Sequence, residues 1–288
     1  MKFFLRLSAS LLAFVLFLAI GSALWPDRWK SPAAEIALVN IQGVLMSSQS
    51  IVRQLSNYRH NPKVRGIILR IDTPGGAVAP AQEIYSEILK LRAANKIVYA
   101  SMGTVAASGG YYIACAADYV LANPGTLTGS IAAVMAFNNV EELTKKIGVK
   151  PDVIKSGLYK DVGSPLRAMK ADERNLLQNV VDDVHQQFVQ AVSEGRGLPV
   201  AEVSKIADGR IMTGQQALKL KLVDEMGGLE KTTALLAEKL GIQGRPEVIE
   251  EKEKTPFFDW LLQSAFSGKL VDTLMPTSSP RLQYTWSP

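Results

Sequence analysis

Short apolar runs alternate with amphipathic stretches through most of the chain after Pro32. Four of these runs are rich in β-branched residues, which is typical of buried strands. They read IALVNIQG, VRGIILRID, KIVYASMG and DYVLANPG. Between the second and third runs, Ile84, Ile88 and Leu91 recur at helical spacing, with charged residues on the other faces. Strands interleaved with helices predict an α/β layered domain.

The second half of the chain is mainly helical in pattern. Residues 172–194 predict one long polar-rich helix, and residues 213–241 predict two shorter helices broken at Gly227-Gly228. From Gln243 onward the pattern is weak. We therefore divide the chain into an N-terminal segment (1–30), one domain (31–242) and a C-terminal tail (243–288).

The N-terminal segment has the pattern of a membrane span. Lys2 and Arg6 precede nineteen uncharged residues, Leu7 to Trp25, and a helix of that length reaches roughly 28 Å, close to the ~30 Å hydrocarbon core. The alternative is a cleaved signal peptide, since small residues follow at positions 21–23. The length of the apolar run favours an uncleaved single-pass anchor with its N-terminus inside and the rest of the chain outside.

The composition of the chain mainly excludes certain kinds of binding site and cross-link. The formal net charge of +5 is spread along the chain, with no block of like charges that would indicate a nucleic-acid arm. Cys115 is the single cysteine, which excludes an intramolecular disulfide and a cysteine-rich metal cluster. Its apolar neighbours favour a packing role.

Two glycine-rich turns follow predicted strands and carry the candidate chemistry. In LRIDTPGGAV, the paired glycines that end in Gly76 can turn backbone N–H groups toward an oxyanion, or can form an ordinary strand-to-helix turn. In ASMGTVAASGGYYIACAAD, Ser108 stands before Gly109-Gly110 at the start of a helical run. A serine there is either an N-cap or a nucleophile beside free amides.

A nucleophilic serine needs a base. His60 and His185 lie in polar stretches without the small residues expected around a reactive group, so a Ser-His-Asp triad is not favoured. Lys160, in VIKSGLYKDVGSPLR, follows a Ser-Gly turn in a loop. A desolvated lysine can be neutral near physiological pH, although most loop lysines are simply solvated.

Four motifs in this order resemble the short form of the bacterial signal peptide peptidase A family. They are DTPGG, AASGGYYIACAAD, ANPGTLTGSI and SGLYKDVGSPLR, and Ser108 precedes Lys160 by fifty-two residues. The resemblance covers about residues 36–229. It implies the crotonase-like fold of the Clp protease proteolytic subunit, built of repeated β-β-α units. It also implies a membrane-anchored serine protease that uses a Ser/Lys dyad to degrade signal-peptide remnants and other hydrophobic peptides.

The same resemblance assigns roles to individual residues. Ser108 matches the nucleophile, Lys160 the general base, and Ser130 the serine whose hydroxyl orients that lysine. The amides of Gly76 and Gly109 match the oxyanion hole. No cofactor or metal is implied. The resemblance further implies apolar subsites that accept small or medium side chains before the scissile bond.

The resemblance also implies partners and a location. A ring-shaped homo-oligomer is expected, an octamer, in which the lysine of one subunit reaches the serine of the next. The partners would then be hydrophobic peptides, membrane lipid and further copies of the chain, but not nucleic acid. The bacterial inner membrane is the expected location, with the catalytic domain on the extracytoplasmic side. The apolar cluster in TPFFDWLLQSAFSGKL, in the tail, is expected either to touch a membrane or groove or to pack on the core.

Three other functions are alternatives to this one. An acyl-CoA hydratase or isomerase of the same fold would use the paired oxyanion donors but needs no serine–lysine pair. A non-catalytic scaffold that binds hydrophobic peptides would be expected to lack Ser108 or Lys160, and both are present. A related anchored protease that clips one specific membrane protein is the closest alternative.

Overall fold

The structure, a computed structural model, describes residues 36–251 and 283–285. The predicted anchor at residues 7–25 and the apolar tail cluster at residues 255–270 lie outside the described residues. None of the helices within the described ranges is both long and apolar enough to cross a membrane.

The described residues form a mixed α/β fold. The strands are β1 (Ile36–Gln42), β2 (Gly66–Thr73), β3 (Gly75–Ala77), β4 (Ile97–Ala107), β5 (Tyr119–Ala122), β6 (Leu127–Gly129), β7 (Ile211–Thr213), β8 (Glu225–Met226), β9 (Val248–Glu250) and β10 (Gln283–Thr285). The helices are α1 (Gln49–His60), α2 (Val78–Ala93), α3 (Gly109–Ala114), α4 (Glu141–Lys146), α5 (Ala171–Arg196), α6 (Val200–Ser204), α7 (Gly214–Lys219) and α8 (Leu229–Leu240). Each of the four predicted strands is present, and α7 and α8 are the two predicted helices on either side of Gly227-Gly228.

A central sheet positions the glycine-rich turns at one edge. Its strand order is β7-β6-β4-β2-β1-β9, and β5 pairs with both β4 and β8. The neighbours β1, β2 and β4 are parallel, and the first half of the long strand β4 pairs with β5 while its last three residues pair with β6. Because parallel strands end at the same edge, the turns after β2 and β4 lie side by side.

Helices cover the sheet and bury its apolar side chains. Ile84, Ile88 and Leu91 of α2 are fully buried, as their helical spacing predicts. Every residue of α3 is buried, which places this short helix inside the core. Cys115 is buried directly after α3, in agreement with its predicted packing role.

Two strands in the C-terminal region were not predicted from the sequence pattern. Strand β9 extends the central sheet by pairing parallel with β1. Strand β10 pairs antiparallel with β3 in a separate two-stranded sheet. Both are three residues long, too short to show the alternation by which a strand is recognised in a sequence.

Adjacent residues of α2 give a test of this packing. Ile88 is fully buried, whereas its neighbour Leu89 is 38% exposed. We expect Ile88→Ala to lower the free energy of unfolding by about 2–5 kcal/mol, because the cavity adds to the lost burial. Leu89→Ala is the control and should change it by less than about 1 kcal/mol. Urea denaturation of both variants measures this, and equal losses would contradict the described face of α2.

Candidate active site

The turn after β2 is held in place by its own polar side chains. The Asp72 carboxylate accepts a hydrogen bond from the Val105 amide of β4 at 3.1 Å. The buried Thr73 hydroxyl donates to the Gly43 carbonyl and accepts from the Gly75 amide at 3.0 Å. These contacts tie the turn to the neighbouring strand and to the loop after β1, so the glycines that follow have a fixed position.

The two edges of β3 have different neighbours, the loop at Leu45 on one side and strand β10 on the other. On one side, the Leu45 amide donates to the Gly75 carbonyl and the Ala77 amide donates to the Leu45 carbonyl, at 2.8 and 2.7 Å. Because successive residues of a strand point their N–H groups to opposite edges, the Gly76 amide faces away from Leu45. A Cβ on Gly76 would overlap Leu45, so only glycine fits this position.

Gly109 lies directly against this turn. A Cβ built on Gly109 would lie 3.3 Å from the Gly75 Cα and 3.4 Å from the Gly76 amide nitrogen. Gly75 itself has φ +100°, a conformation that favours glycine. The amides of Gly76 and Gly109, predicted from separate motifs, are therefore neighbours.

Ser108 occupies a strained turn between β4 and α3. Its φ of 55° and ψ of −116° are unusual for a residue with a side chain, and its amide donates to the Gly129 carbonyl at 2.8 Å. The side chain makes no cap hydrogen bond, and its buried Oγ has no hydrogen-bond partner among the described residues. Ser108 therefore holds the N-cap position of α3, but its side chain does not cap the helix. A buried, unpaired hydroxyl lowers the stability of the fold, and a catalytic role is one reason for a protein to retain it.

Ser130 is close to Ser108 through β6. Strand β6 runs parallel to the end of β4, with Ala107 opposite Gly129, the residue before Ser130. Ser130 is buried, with φ 51°, and its amide donates to the Arg210 carbonyl at 2.8 Å. The structure thus brings together four of the predicted site residues: Ser108, Ser130, Gly76 and Gly109.

Neither histidine is hydrogen-bonded to Ser108, and neither is the cysteine. The ring nitrogens His60 Nδ1 and His185 Nε2 lie 2.8 and 2.7 Å from the backbone carbonyls of Ser56 and Ala207. Burial raises the pKa of the Cys115 thiol to about 12, so the thiolate is scarce at neutral pH. In the described ranges no group of three or more histidine, cysteine, aspartate or glutamate side chains could hold a metal ion.

Lys160 is not hydrogen-bonded to Ser108 in the single chain. It is exposed, in a stretch without helix or strand between α4 and α5, and no hydrogen bond joins it to the unpaired Ser108 Oγ. The same stretch exposes several apolar side chains, and Ile154 is 99% exposed. The others are Val149, Val153, Leu158 and Tyr159.

An ion-pair network fixes the loop that carries Lys160. Asp161, the next residue, pairs with Lys155 and with Arg167, whose Nε lies 2.9 Å from Asp161 Oδ2. Arg167 also donates two hydrogen bonds to the buried carboxylate of Glu173, at 2.8 and 2.5 Å. The Arg167 guanidinium, with the Lys170 amide, lowers the pKa of Glu173 to about 2. This network could not be recognised in the sequence, because charged residues of these types are common on protein surfaces.

The sequence of this chain is similar to those of known proteases. The model of peptidase family S49 matches residues 90–243, and that of Clp protease matches residues 36–128. A provisionally named protease of Synechocystis sp. is 41% identical over 79% of this chain and 81% of its own length. A provisionally named signal peptide peptidase SppA of Enterococcus faecium is 34% identical over 74% of this chain, and the chloroplastic serine protease SPPA of Arabidopsis thaliana is 35% identical over 69%. The matches span 62% and 30% of those two proteins.

The hydrogen bonds between Arg167 and Glu173 predict that the Lys160 loop is better ordered when the Glu173 carboxylate is charged. We expect Glu173→Gln to lower hydrogen-exchange protection of residues 155–168 at pH 7 by roughly 10-fold, because the charge-assisted bonds to Arg167 are weakened. In the original chain the carboxylate's contribution is complete above its ordinary pKa of 4.5 and is lost as the pH falls toward about 2.

The matched control is Glu142→Gln, since Glu142 lies in α4 with a largely exposed side chain. This control should leave the protection of residues 155–168 unchanged. Equal protection in the Glu173→Gln variant and the original chain would show that the network does not order the loop.

Proposed function

Because the chain belongs to peptidase family S49, we propose that it is a membrane-anchored endopeptidase with a Ser108/Lys160 dyad that degrades hydrophobic peptides. As a member of this family it is a serine peptidase. The proposal adds the identity of the base, the anchor, the substrate class and a Clp protease-like arrangement of β-β-α units. The matched regions cover less than two thirds of the Enterococcus faecium and Arabidopsis thaliana proteins. The substrates and partners of this chain are therefore proposals and are not taken from those proteins.

The conformation of Ser108 is the observation that carries this proposal. A strained backbone and a buried hydroxyl without a partner both reduce stability. Both become useful if the hydroxyl must be free to attack a carbonyl at the end of β4. The strand-to-helix turn presents the side chain at the sheet edge, as the nucleophile turns of other hydrolases do.

The neighbouring amides supply the second requirement of acyl transfer. Attack by Ser108 Oγ on a peptide carbonyl places negative charge on the carbonyl oxygen. The adjacent N–H groups of Gly76 and Gly109 are suited to stabilise that oxygen in the tetrahedral intermediate. Removal of one such donor typically costs about 10²–10³ in kcat.

Lys160 is proposed to act across a subunit boundary. Within one chain it is exposed and makes no hydrogen bond with the Ser108 hydroxyl, whereas a lysine base must lose its hydration to be neutral. The exposed apolar residues around it, including Ile154, would be buried by packing on another copy. Contact between two different surfaces repeats head to tail and closes into a ring when the rotation permits. An octamer is the expected size.

The proposed reaction then follows in two halves. Neutral Lys160 takes the Ser108 proton as Oγ attacks the carbonyl carbon, and the protonated lysine gives that proton to the leaving amine. Water hydrolyses the resulting ester and regenerates the free hydroxyl. In this proposal Ser130, buried beside Ser108, accepts a hydrogen bond from the lysine and orients it.

Membrane attachment and substrate class are proposed from the sequence. Residues 7–25 are long enough to anchor the chain in the bacterial inner membrane, with the catalytic domain outside. An anchored enzyme meets the apolar peptides that remain in or near the bilayer after secretion. Signal-peptide remnants are such peptides, and the Enterococcus faecium relative carries the provisional name signal peptide peptidase SppA.

Single substitutions test the dyad. We expect Ser108→Ala to abolish hydrolysis of an apolar peptide, and Lys160→Ala to slow it by about 10²–10⁴-fold, because general-base catalysis is lost. Lys150→Ala is the matched control, since Lys150 is an exposed lysine on the same stretch. Steady-state kinetics on folded proteins measures this. Normal turnover by Lys160→Ala would exclude lysine as the base.

Mixed assemblies test the shared site. Ser108→Ala and Lys160→Ala chains, each inactive alone, are co-expressed and the mixed oligomers are purified through two different tags. If the dyad spans a boundary, about a quarter of the junctions in a random ring pair an intact serine with an intact lysine, and activity returns in proportion. Verified mixed rings without activity would show that both residues act within one chain.

A further inference from the structure

A turn at residues 207–210, between α6 and β7, is bonded directly to Ser130. The Ser130 amide donates to the Arg210 carbonyl at 2.8 Å. The carbonyl of the same peptide unit, that of Gly129, accepts from the Ser108 amide, also at 2.8 Å. Both polar groups of this peptide are therefore bonded, one to the turn and one to the residue that carries the candidate nucleophile. The 207–210 turn thus helps to set where the Ser130 side chain begins.

The 207–210 turn is closed by its own residues. The Asp208 carboxylate accepts hydrogen bonds from the Arg210 amide at 3.1 Å and from its Nε at 2.7 Å. The Arg210 guanidinium lowers the pKa of Asp208 to about 2, so this carboxylate stays charged at neutral pH. Gly209 has φ +85°, and a Cβ there would lie 3.4 Å from the Ala132 Cβ. The turn therefore packs on the segment that follows Ser130.

His185 ties the start of this turn to the 26-residue helix α5. Its Nε2 lies 2.7 Å from the Ala207 carbonyl oxygen. A carbonyl only accepts hydrogen bonds, so Nε2 must carry a proton and donate it. The charged ring and the neutral ring with its proton on Nε2 both meet this requirement. The contact therefore persists whichever charge His185 carries.

The bond from His185 is the main attachment of the turn to a helix. In the part of the chain that the structure describes, His185 is the one side chain outside the 207–210 turn that is hydrogen-bonded to it. The ring is half-buried and Ala207 is only 2% exposed. Water therefore has little access to the Ala207 carbonyl and would replace the histidine poorly.

We infer that His185 is a positioning residue for the proposed reaction, because it holds the 207–210 turn, whose Arg210 carbonyl fixes the Ser130 hydroxyl beside the lysine base. This inference rests on the proposed function. The role requires no proton transfer by the ring, since the Nε2 proton stays in the bond to Ala207. It is therefore consistent with the absence of a Ser-His-Asp triad.

A small shift of Ser130 would affect the reaction more than it affects the fold. The orienting hydroxyl must meet the lysine amine at hydrogen-bond distance, and a misplacement of about 1 Å can slow a reaction by up to about 10²-fold. The amides of Gly76 and Gly109, which are proposed to hold the substrate carbonyl, lie on other turns. Loss of the His185 bond should therefore slow turnover without weakening substrate binding.

Steady-state kinetics of the full-length chain on a fluorogenic apolar peptide tests this role. We expect His185→Leu to lower kcat by about 3- to 10-fold and to change KM by less than about 2-fold. Rates are expressed per active serine, counted with a fluorophosphonate, so that unfolded protein does not contribute. His185→Gln keeps an N–H donor near the position of Nε2 and should restore most of kcat.

The other histidine provides the matched control. His60 Nδ1 lies 2.8 Å from the Ser56 carbonyl, but this contact is within helix α1. We expect His60→Leu to leave both kinetic constants unchanged. Asp208→Ala opens the same turn at its exposed end and should lower kcat by about 2- to 5-fold. This variant tests the turn even if His185→Leu does not fold, since it removes no buried group.

A double-mutant cycle shows whether His185 acts through Ser130. In a Ser130→Ala chain the orienting hydroxyl is already absent, so adding His185→Leu should lower kcat by less than about 2-fold further. A merely structural role of His185 would lower kcat equally in both backgrounds.

The possible outcomes separate this inference from the proposed function. An unchanged kcat in both His185→Leu and Asp208→Ala, or an equal loss with and without the Ser130 hydroxyl, would overturn the inference. Either result would leave hydrolysis by Ser108 and Lys160 standing. Failure of the original chain to hydrolyse any added peptide would contradict the proposed function and, with it, the inference.

Discussion

The candidate site depends on the absence of side-chain carbons where two backbone turns meet. A Cβ on Gly75 would lie 2.7 Å from the Gly109 amide nitrogen, and a Cβ on Gly76 would overlap the backbone of Leu45. The backbone of Gly109, the residue after Ser108, is thereby held against the turn that contains Gly76. The contacts of Asp72 and Thr73 fix one turn, and the pairing of β4 with β6 fixes the other. Backbone donors held in this way need no reorganisation during a reaction.

The sequence predicted those features that arise from local pattern. Periodicity identified the main strands and the buried face of α2, because burial at Ile84, Ile88 and Leu91 repeats with the helical turn. It also located the two glycine-rich turns, since glycine is required where backbones approach closely. It did not predict β9 or β10, because three-residue strands form only when a distant strand offers a partner.

The role of Ser108 could not be decided from local sequence for a related reason. A cap and a nucleophile have the same position before a helix. They differ in whether the hydroxyl bonds to the helix amides, and here it does not. The Ser108 amide bonds to the Gly129 carbonyl of β6, a contact between residues far apart in the sequence. The ion pairs of Asp161, Arg167 and Glu173 could likewise not be predicted from the sequence, because they depend on how the folded chain brings these side chains together.

The way β3 binds β10 also limits what the proposed enzyme can cleave. Pairing along the Gly76 edge requires a substrate with free backbone groups in an extended conformation. A helix within the bilayer satisfies all its backbone groups internally, and exposing them to hydrocarbon is costly. A folded domain likewise presents few unpaired strands. Under the proposed function, apolar segments would therefore be cleaved only after they unwind at the membrane surface, which would spare intact membrane proteins.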